Sequence, residues 1–179
     1  MKNNIVVIGN GSSVLNDEFG HLIDEFDEVV RFNLFETYGY ERYVGSKTTI
    51  WFRNSGPMKE RDESQFKQVI VQSVDHPNEW TDHSVYERYS RVDDETIADI
   101  RKIVKTPFNL STGIQALGYL TRKYGKITIY GFDVFDPPRL YFQSEIIDIR
   151  HSTDEKKYID YLKEKKLVEE LKEKEVKWL

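Results

Sequence analysis

Short apolar runs recur along the chain and predict five buried strands. The runs lie at residues 4–9, 28–33, 48–53, 68–72 and 126–131. The first run contains Ile-Val-Val-Ile at positions 5–8, a continuous β-branched stretch. Such a stretch is typical of a strand that is covered on both faces, as in a parallel sheet.

Apolar positions at helical spacing lie between and after these runs. They predict helices over 18–25, 59–66, 93–104, 113–124 and 153–174. A last short strand is predicted at 176–179. Alternating strands and helices predict an α/β fold, a single Rossmann-like domain over 1–179 whose mostly parallel sheet has helices on both faces. We expect residues 73–105 to form a covering segment, or lid, over this domain.

The turn after the first strand has a composition suited to ligand binding. It reads Gly9, Asn10, Gly11, Ser12 and Ser13. Two glycines permit a tight turn and let backbone N–H groups approach a phosphate or nucleotide closely. A plain strand-to-helix turn, with glycine serving geometry alone, remains the alternative. The dinucleotide fingerprint fits poorly, because Val14 stands where its third glycine belongs. Arg31, near the end of the second predicted strand, is nevertheless placed to bind the 2′-phosphate of NADP.

Three predicted strands end in asparagine, namely at Asn10, Asn33 and Asn54. Ligands of open α/β sheets bind outside the carboxyl ends of the strands. An amide side chain both donates and accepts hydrogen bonds, which suits ribose hydroxyls and phosphate oxygens. For any one of the three, a simple turn residue is the alternative.

A second turn, at residues 107–113, leads into the predicted helix 113–124. Ser111 or Thr112 can cap that helix, so that backbone N–H groups and two hydroxyls face one point and suit an anion. A simple helix cap is the alternative. His76 and His83 lie in the covering segment without a convincing metal-ligand set, and we expect them to be solvated loop residues.

Composition narrows the possible functions further. A net charge of −5 gives no support for nucleic-acid binding, and the absence of cysteine excludes disulfides and thiolate metal sites. Eleven tyrosines suggest a site with flat, hydroxylated walls. The apolar stretch near residue 1 is too short for a signal peptide, and no run approaches transmembrane length. We therefore expect a cytoplasmic protein.

The turns together resemble the conserved motifs of a known enzyme family. Residues 9–13, 26–33, 38–41 and 44–49 resemble the long motif of sialyltransferases of glycosyltransferase family 29, and residues 110–113 with 129–132 resemble their short motif. The layout is also similar to that of bacterial sialyltransferases of family 42. The resemblance implies a GT-A-like variant of the Rossmann-like fold.

The resemblance also implies a reaction: transfer of a sialic acid or related 2-keto sugar acid from a CMP-sugar donor to a sugar hydroxyl of a glycan acceptor, with inversion and without a metal or cofactor. It implies His151 as general base and Tyr141 as a contact of the leaving phosphate. The implied donor-binding residues are Gly9, Asn10, Gly11, Ser12, Asn33, Asn54, Asn109, Ser111, Thr112, Gly113 and Phe132.

Several positions depart from the family patterns. Asn109 stands where family 42 has an arginine, and Phe135 stands where it has a tyrosine. Glu155 lies four residues after His151, where family 29 has a glutamate five residues after its histidine. Unlike animal family 29 enzymes, the chain shows neither an anchor segment nor a disulfide joining the motifs. Two alternatives stay open: a non-catalytic module that binds a CMP-sugar or glycan, and an NADP-binding reductase that uses Arg31.

Overall fold

A computed structural model describes residues 4–59, 61–75, 77–133 and 152–178, and over these ranges the strands form one seven-stranded, all-parallel sheet. The strands are β1 (Ile5–Ile8), β2 (Glu28–Phe32), β3 (Ile50–Arg53), β4 (Gln68–Val71), β5 (Ser90–Arg91), β6 (Ile127–Tyr130) and β7 (Val168–Glu170). All five predicted strands are present. β5 and β7 are additional edge strands that the sequence pattern did not reveal.

Strand β1 is the centre of the sheet, whose order is β5-β4-β3-β2-β1-β6-β7. Val6 lies between Val29 of β2 and Thr128 of β6 in register. The chain therefore winds outward in one direction from β1 to β5 and then returns to the other side of β1 with β6. Such a reversal of strand order opens a crevice at the carboxyl ends of the two central strands, where ligands of open α/β sheets bind.

Helices cover both faces of the sheet, which confirms the predicted α/β fold class. The α-helices are α1 (Gly20–Asp24), α2 (Glu41–Val44), α3 (Val85–Arg88), α4 (Asp94–Arg101), α5 (Thr112–Tyr124), α6 (Ser152–Glu164) and α7 (Leu171–Trp178). One buried core joins the sheet to α4, α5 and α6, and a second joins the other face to α1, α2 and the start of α7.

Helix α5 packs into the main core and agrees with its predicted range to within one residue. The Ser111 hydroxyl accepts a hydrogen bond from the Ile114 N–H at 3.3 Å and caps its start. At Gly118, a Cβ would lie 2.8 Å from the Ile100 side chain, so the glycine lets α4 and α5 pack closely. Because α5 leads directly into β6, its first turn lies at the carboxyl edge of the sheet.

The prediction of one long C-terminal helix over 153–174 is wrong. Helix α6 ends at Glu164, and Lys166 adopts a left-handed φ of 58° that turns the chain. Val168 then pairs with Ile127 of β6 and is buried. The predicted strand at 176–179 is likewise wrong through residue 178, because those residues belong to α7. Because the lysines and glutamates of this segment recur at helical spacing, the sequence pattern did not reveal the three-residue strand β7.

Two other segments differ from expectation in detail. The predicted helix over 59–66 is reduced, among its described residues, to a 3-10 turn at Glu63–Gln65 that Asp62 caps. The segment 73–105 contains β5 and α4, whose Ile97 and Ile100 enter the main core. The role of that segment as a cover over a ligand stays a prediction.

Candidate functional site

The glycines of the first turn let the loop after β6 approach β1. A Cβ on Gly9 would lie well under 3.0 Å from the Gly131 carbonyl oxygen, and one on Gly11 would meet the Asp133 carboxylate equally closely. The Gly9 N–H donates to the Tyr130 carbonyl at 2.7 Å, and the Gly11 N–H donates to the Gly131 carbonyl at 2.9 Å. Both glycines are therefore required by packing within the protein.

Asp133 completes this turn, and it is a residue that the sequence reasoning missed. Its carboxylate accepts hydrogen bonds from the Ser13 N–H at 2.9 Å and from the Ser13 hydroxyl. A protein carboxylate thus occupies the backbone donor at which an anion would bind. The polar groups that the turn retains for a ligand are those of Asn10 and Ser12, both half-buried. Asp133 stands three positions after the last residue of β6 and about 120 positions after Ser13, so no local pattern in the sequence connects the two.

Asn33 and Asn54 lie side by side at the ends of β2 and β3. Asn33 has a left-handed φ of 48°, and its Oδ1 accepts from the Asn54 N–H at 2.8 Å. The Asn54 Oδ1 in turn accepts from the Gly56 N–H at 2.9 Å. Because these bonds use the amide oxygens, the two Nδ2 groups are the donors that this pair can offer to a ligand.

The first turn of α5 is tied to neighbouring elements by several polar contacts. The Thr112 hydroxyl donates to the Gln72 Oε1 at 2.5 Å, at the carboxyl end of β4, and Glu155 of α6 accepts from the Ser111 N–H at 2.8 Å. The buried Gln115 amide bonds both the N–H and the carbonyl of Ser73. Asn109 accepts from the Asp75 N–H at 3.1 Å, just before the helix.

Phe132 connects the two predicted ligand turns. Its ring packs edge-on against Phe32 at a centroid distance of 5.8 Å. A Cβ on Gly9 would lie 3.1 Å from the Phe132 ring, and one on Gly113 would lie 3.3 Å from it. The ring therefore contacts the turn after β1, the end of β2 and the start of α5. Most of the predicted donor-binding residues consequently lie on elements that meet at one sheet edge.

A comparison with protein families identifies the chain. The model of glycosyltransferase family 29 (sialyltransferase) matches residues 3–105, more than half of the sequence. The chain belongs to this family. The matched range includes the turns at 9–13, Asn33 and Asn54, and it ends before the start of α5. The predicted family is thereby confirmed.

Two similar proteins match portions of the chain of different length. Rat lactosylceramide alpha-2,3-sialyltransferase is 37% identical over 75 residues, which are 39% of this chain and 19% of that protein. Sialyltransferase-like protein 2 of Arabidopsis thaliana is 29% identical over 149 residues, which are 73% of this chain and 30% of that protein. The chain thus spans less than a third of the length of these relatives.

A solved sialyltransferase structure has the same fold. It is the crystal structure of a mammalian sialyltransferase in complex with Gal-beta-1-3GalNAc-ortho-nitrophenol, with a TM-score of 0.70 and 17% sequence identity. The alignment covers 94% of this chain and 69% of that one. The likeness extends well beyond the range of the family match and includes the side of the sheet that holds β6.

Arg31 does not serve the NADP alternative. The residue is buried, and its guanidinium donates to the Thr48 hydroxyl at 3.0 Å and to the Lys47 carbonyl at 3.2–3.3 Å. It also donates to the Val44 carbonyl at the end of α2. Arg31 therefore stabilises the loop before β3, and a 2′-phosphate at the sheet edge has no access to it.

Some predicted residues fall beyond the described ranges, namely His76, Phe135, Tyr141 and His151. His83 is exposed and lies beside Tyr86, as expected of a solvated loop histidine. Within the described ranges no three side chains of His, Asp or Glu cluster as metal ligands. No helix in that part of the chain is both long and apolar enough to span a membrane. The cytoplasmic location stays a prediction.

Proposed function

We propose that this chain carries the catalytic core of a sialyltransferase-type enzyme, which moves a sialic acid or related 2-keto sugar acid from a CMP-sugar to a sugar hydroxyl. The family match over residues 3–105 carries the proposal. The rat relative is named for transfer to lactosylceramide, which makes lactose-type sugars the first acceptors to examine.

The asparagine pair would hold the ribose hydroxyls of the donor. The Nδ2 groups of Asn33 and Asn54 are half-buried donors at the ends of adjacent strands, a position from which two oxygens of one ligand can be reached. Asn10 and Ser12 would complete this set from the neighbouring strand, on the side of Phe132.

The first turn of α5 would receive the phosphate of the donor. The Ser111 N–H is already bonded to Glu155, and the Ile114 N–H is bonded to the capping hydroxyl. The backbone donors of Thr112 and Gly113 remain for phosphate oxygens, at the positive end of a 13-residue helix. Asp133 argues against the turn after β1 as the phosphate site, because its carboxylate already holds the Ser13 N–H.

His151 would act as the general base, as the family resemblance implies. The acceptor hydroxyl oxygen attacks the anomeric carbon through an oxocarbenium-like transition state, and its proton passes to the neutral imidazole. The bond from the anomeric carbon to the phosphate oxygen breaks, and CMP leaves with the electron pair. Tyr141 would donate a hydrogen bond to the phosphate as its charge increases. A monophosphate leaving group carries little enough charge that we expect no metal requirement.

The test is CMP release from CMP-sialic acid with lactose as acceptor, measured from pH 5 to 9. We expect His151→Ala to lower kcat by about 10²–10⁴ and to leave the CMP dissociation constant unchanged. The wild-type rate should fall below about pH 6.5, because a protonated imidazole cannot accept a proton. His83→Ala is the matched control, since it removes an exposed loop histidine.

Each other outcome has a distinct meaning. Full activity of His151→Ala would remove this histidine from the mechanism. A wild-type protein that binds CMP without turning over any acceptor would be the non-catalytic binding module. A protein that binds no cytidine nucleotide would contradict the proposal. Tyr141→Phe is expected to lower kcat and to spare acceptor affinity.

A further inference from the structure

Exposed apolar side chains concentrate at the edge of the sheet that carries the candidate site. In the described part of the chain, the large exposed ones are Leu34, Tyr38, Trp80, Phe108 and Tyr161. All except Tyr161 lie on loops that follow β2 or β4 or that lead into α5. Trp80 is the one among them whose backbone contacts a predicted ligand-binding residue, through Gly56 and Asn54.

Trp80 is the largest of these side chains and is held out by an ordered turn. The residue is 67% exposed. Its own N–H donates to the Asn78 Oδ1 at 2.9 Å, and the next N–H, that of Thr81, donates to the Asn78 carbonyl at 2.9 Å. The Asp82 N–H donates to the Ser55 carbonyl at 2.7 Å, which fixes the turn against the loop after β3.

The same turn places Trp80 next to the asparagine pair. The Trp80 carbonyl would lie 3.3 Å from a Cβ on Gly56, and the Gly56 N–H donates to the side chain of Asn54. One residue therefore separates the backbone that carries the indole from a predicted donor-binding amide.

We propose that the Trp80 indole stacks on a sugar ring of the acceptor glycan, an inference that rests on the proposed transfer reaction. A pyranose presents a face of C–H groups, and an aromatic ring offers a large, flat apolar surface to pack against it. The exposed indole supplies such a surface, and the neighbouring Asn54 amide, which would hold the donor, would bring the two substrates close together.

The position of Trp80 favours the acceptor over the cytosine of the donor. The proposed donor site runs from the turn after β1 to Asn54 at the end of β3, and Trp80, on the loop after β4, lies beyond its outer end. A tryptophan residue that is two-thirds exposed also suits a glycan arriving from solvent better than a base enclosed in a pocket.

The kinetic test compares Trp80→Ala and Trp80→Phe with wild type, using CMP-sialic acid and lactose. We expect Trp80→Ala to raise the KM for lactose roughly tenfold, and Trp80→Phe to raise it less, because a smaller ring keeps part of the stacking. The dissociation constant for CMP, measured by calorimetry, should not change. Tyr161→Ala is the control, because it removes an exposed aromatic ring on α6, and its KM should equal that of wild type.

A fluorescence titration with lactose tests the same contact without turnover. The sequence has two other tryptophans, Trp51 and Trp178, which both variants share, so the difference between wild type and Trp80→Phe isolates the signal of the Trp80 indole. A lactose-dependent change in fluorescence that Trp80→Phe abolishes supports stacking. If that change is present but no sialic acid is transferred to lactose, the proposed reaction is rejected and the contact with the sugar is kept. An unchanged KM with no lactose-dependent signal overturns the inference. Weaker CMP binding by Trp80→Ala also overturns it, because the ring would then stack on the base.

Discussion

At the residue scale, Asp133 shows how a turn suited to a ligand can instead be satisfied by the protein. It holds Ser13 by two hydrogen bonds. We expect Asp133→Ala to lower the free energy of unfolding by about 1–3 kcal/mol, since a part-buried N–H loses its partner. Asp133→Asn keeps a hydrogen-bond acceptor and should lower the free energy of unfolding by less. Urea unfolding measures both, with Asp160→Ala on the exposed side of α6 as control, and wild-type stability of Asp133→Ala would contradict the assignment.

The same residues show what the sequence could predict and what it could not. The sequence predicted that the glycines at 9 and 11 allow a close approach, but it predicted an approach to a ligand. The approaching groups are the Gly131 carbonyl and the Asp133 carboxylate, about 120 positions further along the chain. No local pattern identifies such a partner. The asparagines could be predicted as a set because parallel strands bring their carboxyl ends to one edge.

At the scale of elements, the contact of α6 with α5 gives the protein a sensitivity to alkaline pH. Tyr158 is packed with its hydroxyl near Gly118. Burial, with the neighbouring Tyr161, raises the pKa of Tyr158 to about 12 from its ordinary value of 10.0. This contribution to stability is fully present below pH 10. It is lost as the pH rises from 10 to 12, because the unfolded chain releases the phenolic proton first.

The corresponding prediction is a fall in the free energy of unfolding of up to about 2–3 kcal/mol between pH 10 and 12 from this group alone. Tyr158→Phe removes the titrating hydroxyl, so its stability should decline less steeply over that range. Urea unfolding at pH 8, 10 and 11 measures the difference, and Tyr38→Phe, at a tyrosine that is 85% exposed, is the matched control. Parallel pH profiles for wild type and Tyr158→Phe would contradict this account.

The C-terminal elements show what the periodicity of apolar residues cannot predict. The pattern over 153–174 is amphipathic throughout, yet the chain reverses at Lys166 and pairs Val168 with Ile127. A three-residue strand is too short to produce an alternation, and its position is decided by an open sheet edge elsewhere in the fold. Helix α5, by contrast, has both a capping serine and a long apolar face, and its range was correctly predicted.

At the scale of the whole molecule, the matched range 3–105 does not contain a complete core. Strand β1 has β6 as its second neighbour, and α5 fills the main core. We therefore expect a protein of residues 1–105 to lack cooperative unfolding in urea, while the full chain unfolds in one transition. Circular dichroism and tryptophan fluorescence would follow both. A cooperative transition of the fragment would show that the first five strands fold alone.

The central place of β1 has a consequence for the chain during its synthesis. Ribosomes add about 5–20 residues per second, so β6 follows β1 by roughly 6–24 s. Throughout that interval one side of β1 lacks its neighbour, since Val6 and Thr128 are paired in the finished sheet. An open strand edge recruits other strands. The nascent chain is thus most exposed to aggregation and to chaperone capture before β6 emerges.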